Sequence, residues 1–359
     1  MRSVEFESSL KLSDMTPGKP GSSHDLTENA LLLSRGRDAI RIIIDDMGLL
    51  ESCGILLPAF ACGEIYEPFS KAGLKNYFYR INEDLTPNLS HIREMKGDCK
   101  VVLVINYFGF LQPNEVYDQL KDWGLIVIED GSHSLLSAGS GSHGDYYFAS
   151  LRKLLPVLDG AILRKKDKAG FRKVRFKKSG SLTKFRSFRA LGQLIKGSEI
   201  KKSRGTKQWL IQEMFARAEK EVPRYPGPAA MSNLSRNILN RLKLGLISES
   251  RRRNYEVLGE RLGEVQEYAP VFKKLPDAVV PYGFPVLSGR RTLWVTALDK
   301  LKIQVAPLWS LSKAIPDGVL MGDDRIYREM MLFPVGQDYT IEDMNGIVAR
   351  IRGVLENGV

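Results

Sequence analysis

Between residues 31 and 165, short apolar runs rich in β-branched residues alternate with stretches of helical periodicity, and few folds accommodate that pattern. LLLSRGRDAIRIIIDDMGLL reads as an apolar run from Leu31, a glycine turn and then a helix, whose Ala39, Ile40, Ile42 and Ile43 form a broad apolar face. GILLPAFACGEIYEPFSKAG reads as a strand and a helix ending at Gly73. NYFYRINEDLTPNLSHI opens on another strand, and CKVVLVINYFGFLQP on a buried one that ends at Asn106. A helix over 114–123 leads to the run Leu125–Ile128, and Tyr146–Ala149 follows. Strands joined through helices imply right-handed crossovers and a mainly parallel sheet. Ligands of such sheets gather at the carboxyl ends of the strands, and Cys62, Asn106 and Asp130 each follow one of these runs.

The chemistry concentrates between Leu125 and Ala161. The apolar run there ends on Glu129 and Asp130 and turns through Gly131, Ser132 and His133, while the next run delivers Ser150, Arg152 and Lys153. A carboxylate can keep a pyridinium nitrogen protonated, a hydroxyl can bind phosphate, and a lysine amine can attach to an aldehyde. These are the three handles of pyridoxal 5'-phosphate. The same residues also read as a turn cap at Asp130 and a surface lysine at Lys153.

No apolar run reaches the roughly 18–20 residues that span a membrane. The N-terminal MRSVEFESSLKLSD places acids where a signal peptide needs an apolar core, so the cytoplasm is the expected compartment. Cys53, Cys62 and Cys99 show no C-x-x-C spacing, which argues against a disulfide framework and a zinc site. The net charge is +11, yet residues 164–207 alone hold 17 Lys and Arg against Asp167 and Glu199. A single basic block therefore makes the chain basic. It reads as a solvated, partly disordered excursion, with phosphate, an anionic surface or nucleic acid as rival partners. Within it, KFRSFRALGQLI has helical spacing with Phe185, Phe188, Leu191 and Ile195 on one face.

Residues 1–24 read as an irregular arm, 25–245 as a large domain, and 246–359 as a small one. Residues 208–245 read as two helical stretches around the break PRYPGPAA. A long helix from Ser248 carries Tyr255, Leu258, Leu262 and Val265, then VVPYGFPVL reads as a strand and TLWVTALDKLKI as a helix. MLFPVGQDYTIEDMNGIVARIRGVLE reads as a turn and an amphipathic helix capped by Thr340, with Asp343 three residues on.

The wording IEDGSHSL, then GSHGDYYFASLRKLLPVLDGA, resembles the DegT/DnrJ/StrS family of pyridoxal-phosphate-dependent sugar aminotransferases. The resemblance covers roughly residues 30–165 well and 245–355 loosely, without a clear N-Y-R-(M/L)-S segment. It implies the α/β aspartate-aminotransferase fold (fold type I): a large α/β/α domain with a mixed, mostly parallel sheet, plus a small α+β C-terminal domain. It implies Lys153 as the Schiff-base lysine, Asp130 as partner of the ring nitrogen and His133 near the ring oxygen. Ser34, Gly36, Arg37 and Ser150 are then expected at the phosphate, with Arg35 inserted before the glycine. Cys62 is expected against the ring, where relatives carry Phe, Trp or Cys, with Ala61 in place of their threonine, and Phe60 reads as plain core. Expected partners are a nucleotide-linked keto-sugar and an amino-acid donor, in a homodimer with shared sites, serving polysaccharide, lipopolysaccharide or secondary-metabolite synthesis. No metal and no nucleic acid are expected. A dehydratase or binding module on the same fold is the rival, although the dehydratase type loses the lysine.

Overall fold

The computed structural model describes residues 10, 15, 24–49, 51, 53–97, 99–167, 170–172, 174–197, 204–222, 227–262, 265, 267–309, 312–320 and 324–356. Most of the expected N-terminal arm and the first part of the Pro-rich break lie outside them; Met15 forms an isolated bridge with Leu242.

The alternation resolves into β1 (Leu31–Leu33), β2 (Gly54–Pro58), β3 (Lys75–Tyr79), β4 (Val101–Ile105), β5 (Ile126–Asp130), β6 (Tyr146–Ser150) and β7 (Ala161–Lys165). Interleaved with them are helices α1 (His24–Thr27), α2 (Gly36–Met47), α3 (Glu67–Lys71), α4 (Leu89–Met95) and α5 (Asn114–Asp122). One seven-stranded sheet results, in the order β1-β7-β6-β5-β4-β2-β3. The block from β3 to β6 is parallel, because a helix or helical turn returns the chain between most of these strands. The ten residues between β6 and β7, which include a helical turn at Leu151–Lys153, are too few for a crossover, so β7 runs antiparallel to β6, and β1 antiparallel to β7. All five residues of β4 are buried, which requires cover on both faces.

The basic block departs from the expected solvated excursion. Much of it folds into α6 (Gly180–Gly197), which packs against α7 (Arg204–Glu221); α8 (Asn233–Leu239) follows. The buried positions of α6 are Leu182, Phe185, Arg189, Gly192 and Gln193, whereas Leu191 is exposed. The apolar reading placed the face about one residue off, because it could not foresee that Arg189 stacks over Phe215 at 4.7 Å. Gly192 leaves room for the same Phe215.

A second, antiparallel sheet follows α9 (Leu244–Leu262): β8 (Ala269–Pro270), β9 (Gly283–Leu287), β10 (Ala306–Pro307) and β11 (Met330–Pro334), in the order β10-β11-β9-β8. Helices α10 (Arg291–Lys300), α11 (Arg325–Glu329) and α12 (Ile341–Glu356) complete it. Tyr255, Leu258 and Leu262 of α9, Trp294 and Leu298 of α10, and Met344, Ile347 and Ile351 of α12 share one core with Phe333. The sequence placed β11 inside a turn; all five of its residues are buried, so it shows no alternation. Thr340 and Asp343 exchange caps at the start of α12 as expected, Asp343 N–H donating to Thr340 Oγ1 at 3.2 Å and Thr340 N–H to Asp343 Oδ2 at 3.0 Å.

Gly109 joins the two sheets. Its φ is +109°, and a Cβ there would lie 2.4 Å from the Val280 carbonyl oxygen, so the chain needs glycine twice over. Beside it, Tyr282 N–H donates to Phe108 O at 2.8 Å, and Ser137 Oγ donates to Gly109 O while accepting from Val280 N–H.

Candidate active site

One pocket lies at the carboxyl ends of the parallel strands. Its walls are Cys62 and Ile65 after β2, Ile105 of β4, Asp130, Ser132 and His133 at the end of β5, and Lys153 after β6, with Trp309 from beyond β10. The parallel register explains the convergence: Ile105 pairs with Asp130, and Asp130 with Phe148, so three strand ends open on one level. Asp130, His133, Lys153 and Cys62 thus line one pocket.

Asp130 is 4% exposed, and its Oδ1 accepts from Ser132 N–H at 2.8 Å. Burial pushes its carboxyl above the usual range, with the Lys153 charge and the Ser132 donors pulling partly back. His133 Nε2 lies 2.9 Å from Lys153 Nζ, and His133 Nδ1 accepts from Phe108 N–H at 3.4 Å. An accepting Nδ1 would leave the proton on Nε2, which a charged Lys153 ammonium cannot accept, so the tautomer follows the state of the lysine. Burial first, and then the Lys153 charge, hold the His133 pKa well below its ordinary value, so the ring is neutral. Phe108 delivers its amide from a left-handed conformation, φ 56°, ψ 17°. Such a geometry is rare for a bulky residue and is held here by the surrounding contacts. Tyr282 stacks on His133 at 4.4 Å and 5°. The 281–282 backbone is fixed in turn by Arg251, whose guanidinium donates to Pro281 O and Tyr282 O and is pushed down to about 10 by burial.

Ser150 lies beside the start of α2: a Cβ on Gly36 would lie 3.8 Å from Ser150 Cβ. The N-cap residue, Arg35, supplies no side-chain cap to α2, and Asp38 N–H of the first turn donates to Arg35 O at 3.1 Å. Ser150 N–H donates to Ser132 Oγ at 3.0 Å, tying this corner to the pocket.

Ser34 and Arg37, expected at the phosphate, are paired within the protein. Ser34 Oγ donates to the buried Asp159 at 3.0 Å, and Arg37 pairs with Glu67 at 2.8 Å and Glu64 at 3.4 Å. Neither lines the pocket. Asp159 also accepts from Ser232, Ser235 and Arg186, and Arg186 donates onward to Ala230 O. Arg152 pairs with Glu219 of α7 at 3.0 Å. Asn106 ends β4, yet its amide is spent on Glu129, Gln112 and Tyr117 rather than on the pocket. Phe60 is fully buried core, as read.

Sequence reasoning missed Trp309, Tyr282 and Asp159. Asp159 sat in the quoted LDGA without a role, and Tyr282 inside a strand reading. Trp309, in QVAPLWS, carried no periodic signal. No group of His, Cys, Asp and Glu able to hold a metal occurs among the described residues, and no helix among them is long and apolar enough to cross a membrane.

No family model and no curated protein matches the chain in sequence. Solved structures match it in fold. The aminotransferase TlmJ from Streptoalloteichus hindustanus superposes with a TM-score of 0.69 at 16% identity, over 93% of this chain and 90% of that one. NtdA from Bacillus subtilis, solved with bound cofactor PMP, gives 0.66 at 16% identity, over 94% and 79%. A DegT/DnrJ/StrS-type aminotransferase from Brucella abortus gives 0.63 at 14%, over 90% and 85%. The architecture is therefore that of the fold type I aminotransferases.

Proposed function

We propose that the chain is a pyridoxal-phosphate-dependent aminotransferase that passes an amino group from an amino-acid donor to a nucleotide-linked keto-sugar. The observation that carries this reading is the convergence of Lys153, His133 and buried Asp130 on one pocket of this fold. The donor set suits the cofactor: an amine for the aldehyde, a buried carboxylate for the ring nitrogen and a neutral imidazole N–H for the ring oxygen. Ser150, beside the first turn of α2 at Gly36, suits the phosphate. Bound there, the cofactor supplies an electron sink and a carrier for the amino group.

The chain's own residues then have separable tasks. Asp130, at the centre of the sheet, holds a proton at the ring nitrogen, where water has little access. Once the lysine amine is engaged elsewhere, Phe108 N–H holds His133 Nδ1 as acceptor and Nε2–H is offered as donor. Lys153, freed by an incoming amine, stands 2.9 Å from His133 Nε2 and takes up and returns the substrate proton. The sugar acceptor rests on the wording from Leu125 to Ala161, which resembles that of sugar aminotransferases, and on the aminotransferases that share the fold. Homodimerisation with shared sites and a cytoplasmic setting belong to the same reading.

Borohydride reduction of the purified protein followed by peptide mapping tests the cofactor reading. A pyridoxyl group on Lys153 is expected, and a label on another lysine, or none, overturns it. An absorbance change with an amino-acid donor, reversed by a nucleotide-linked keto-sugar but not by the free sugar, tests the acceptor. A sedimentation mass equal to one chain would rule out the dimer.

A further inference from the structure

The pocket wall that faces the polar groups holds an unexpected ring. Cys62, at the position expected against the cofactor ring, is exposed and has no π face. Trp309 stands in the same lining, brought there from beyond β10, the two-residue edge strand of the small sheet. Its indole lies 5.0 Å from Phe60, 5.9 Å from His133, 6.3 Å from Phe108 and 6.4 Å from Tyr107. It is nearly parallel to the His133 ring, at 18°. Its side chain makes no hydrogen bond among the described residues, so ring packing is what holds it.

The remaining cavity is about 20 Å³. That admits about one water, whereas an engineered cavity that takes a benzene measures about 150 Å³. A pyridine ring therefore enters beside Lys153 and Asp130 only if a wall withdraws. Asp130, Ser132 and His133 are each hydrogen-bonded to the scaffold. Trp309 is held by ring contacts, which an incoming ring can replace in kind.

We propose that Trp309 is the aromatic cover of the cofactor ring, delivered by the small sheet in place of an aromatic at Cys62, and that it must withdraw for the ring to enter. The proposal rests on the pyridoxal phosphate reading above. An electron-poor pyridinium favours the face of an indole, so Trp309 acts as a positioning residue that sets how fast the cofactor enters and how tightly it stays.

Rapid mixing of pyridoxal phosphate with the parent, Trp309→Phe and Trp309→Ala proteins, followed by absorbance and by tryptophan emission, tests this. In the parent, emission should fall as the cofactor binds, and most of that fall should vanish in Trp309→Phe. Trp309→Phe should keep the parent Kd within about twofold, because a ring remains. Trp309→Ala should bind several-fold faster yet release faster still, raising Kd about three- to tenfold, the range of one aromatic pair. Equal Kd and equal rates in the Phe and Ala variants, or quenching that persists without Trp309, would overturn the proposal. Should Trp309→Ala fail to fold by near-UV circular dichroism, the emission change in Trp309→Phe decides. A parent protein with no reducible adduct on Lys153 refutes the cofactor reading itself, whereas a labelled Lys153 with indifferent Trp309 variants refutes only the cover.

Discussion

Asp130 and His133 are both buried against their charged forms, and each leaves its own mark on stability. The Asp130 carboxyl has a folded pKa above its unfolded value, so its stabilising contribution is complete below about pH 3.8 and is lost as pH rises through the folded value. At neutral pH the carboxylate is thus retained at a cost to the fold. Asp130→Asn should raise the melting temperature at pH 7 by about 2–4 °C, with the gain fading at pH 4. Transamination should fall by several orders of magnitude, and a variant with near-native turnover would show that Asp130 does not face the ring nitrogen. His133 titrates in the other direction: its folded pKa is depressed, so the unfolded chain binds a proton first and stability drops as pH falls below about 6.5. The loss should show between about pH 6.5 and 5. His133→Gln should flatten that slope in urea titrations at the two pH values; an unchanged slope would mean that His133 charges in place.

At the scale of elements, the strands that carry the site were legible because β-branched runs and strand-end acids are local signals. Asp130 and Lys153 could be picked as candidates for that reason, whereas His133 entered through the family resemblance. Trp309, Tyr282 and Asp159 could not, since each acquires its role from segments far along the chain. The pairings of Ser34 with Asp159 and of Arg37 with Glu67 were not legible, because a glycine turn before a helix signals an anion site without revealing which neighbouring side chains are already paired. The basic helix α6 shows the same limit, for Arg186 and Arg189 read as surface charges. Arg186 is instead the cation on Asp159, which is fully buried. Arg186→Met should cost about 2–3 kcal/mol in chemical denaturation, because a buried carboxylate is left to serine hydroxyls and Ser232 N–H with no cation. Asp159→Asn should cost less, and a neutral outcome for Arg186→Met would return α6 to the status of a loose excursion.

Over the whole molecule, positive charge is concentrated on the segment that contains α6, while the rest of the chain is mildly acidic. Lys177 and Lys178 are exposed there, so their effect on a phosphate-bearing substrate must be long-range and screened, within about 10 Å at 0.1 M salt. Lys177→Gln with Lys178→Gln should raise KM about twofold at low salt, leave kcat unchanged and shift stability by less than about 0.5 kcal/mol. Parent-like KM at every salt concentration would make the basic surface a solvated face. The Asp159 knot has a further consequence, which concerns the order in which the chain is made. Ser34 is synthesised early, but Ser232 and Ser235 emerge some 70 residues after β7, and Ala230 bridges Leu33 of β1 only then. At roughly 5–20 residues per second, the ribosome leaves the outer edge of β1 bare, and the carboxylate without these donors, for about 4–14 s. For that interval the nascent large sheet is a client for chaperones, and a stall between residues 165 and 235 would release a chain prone to pair through that edge.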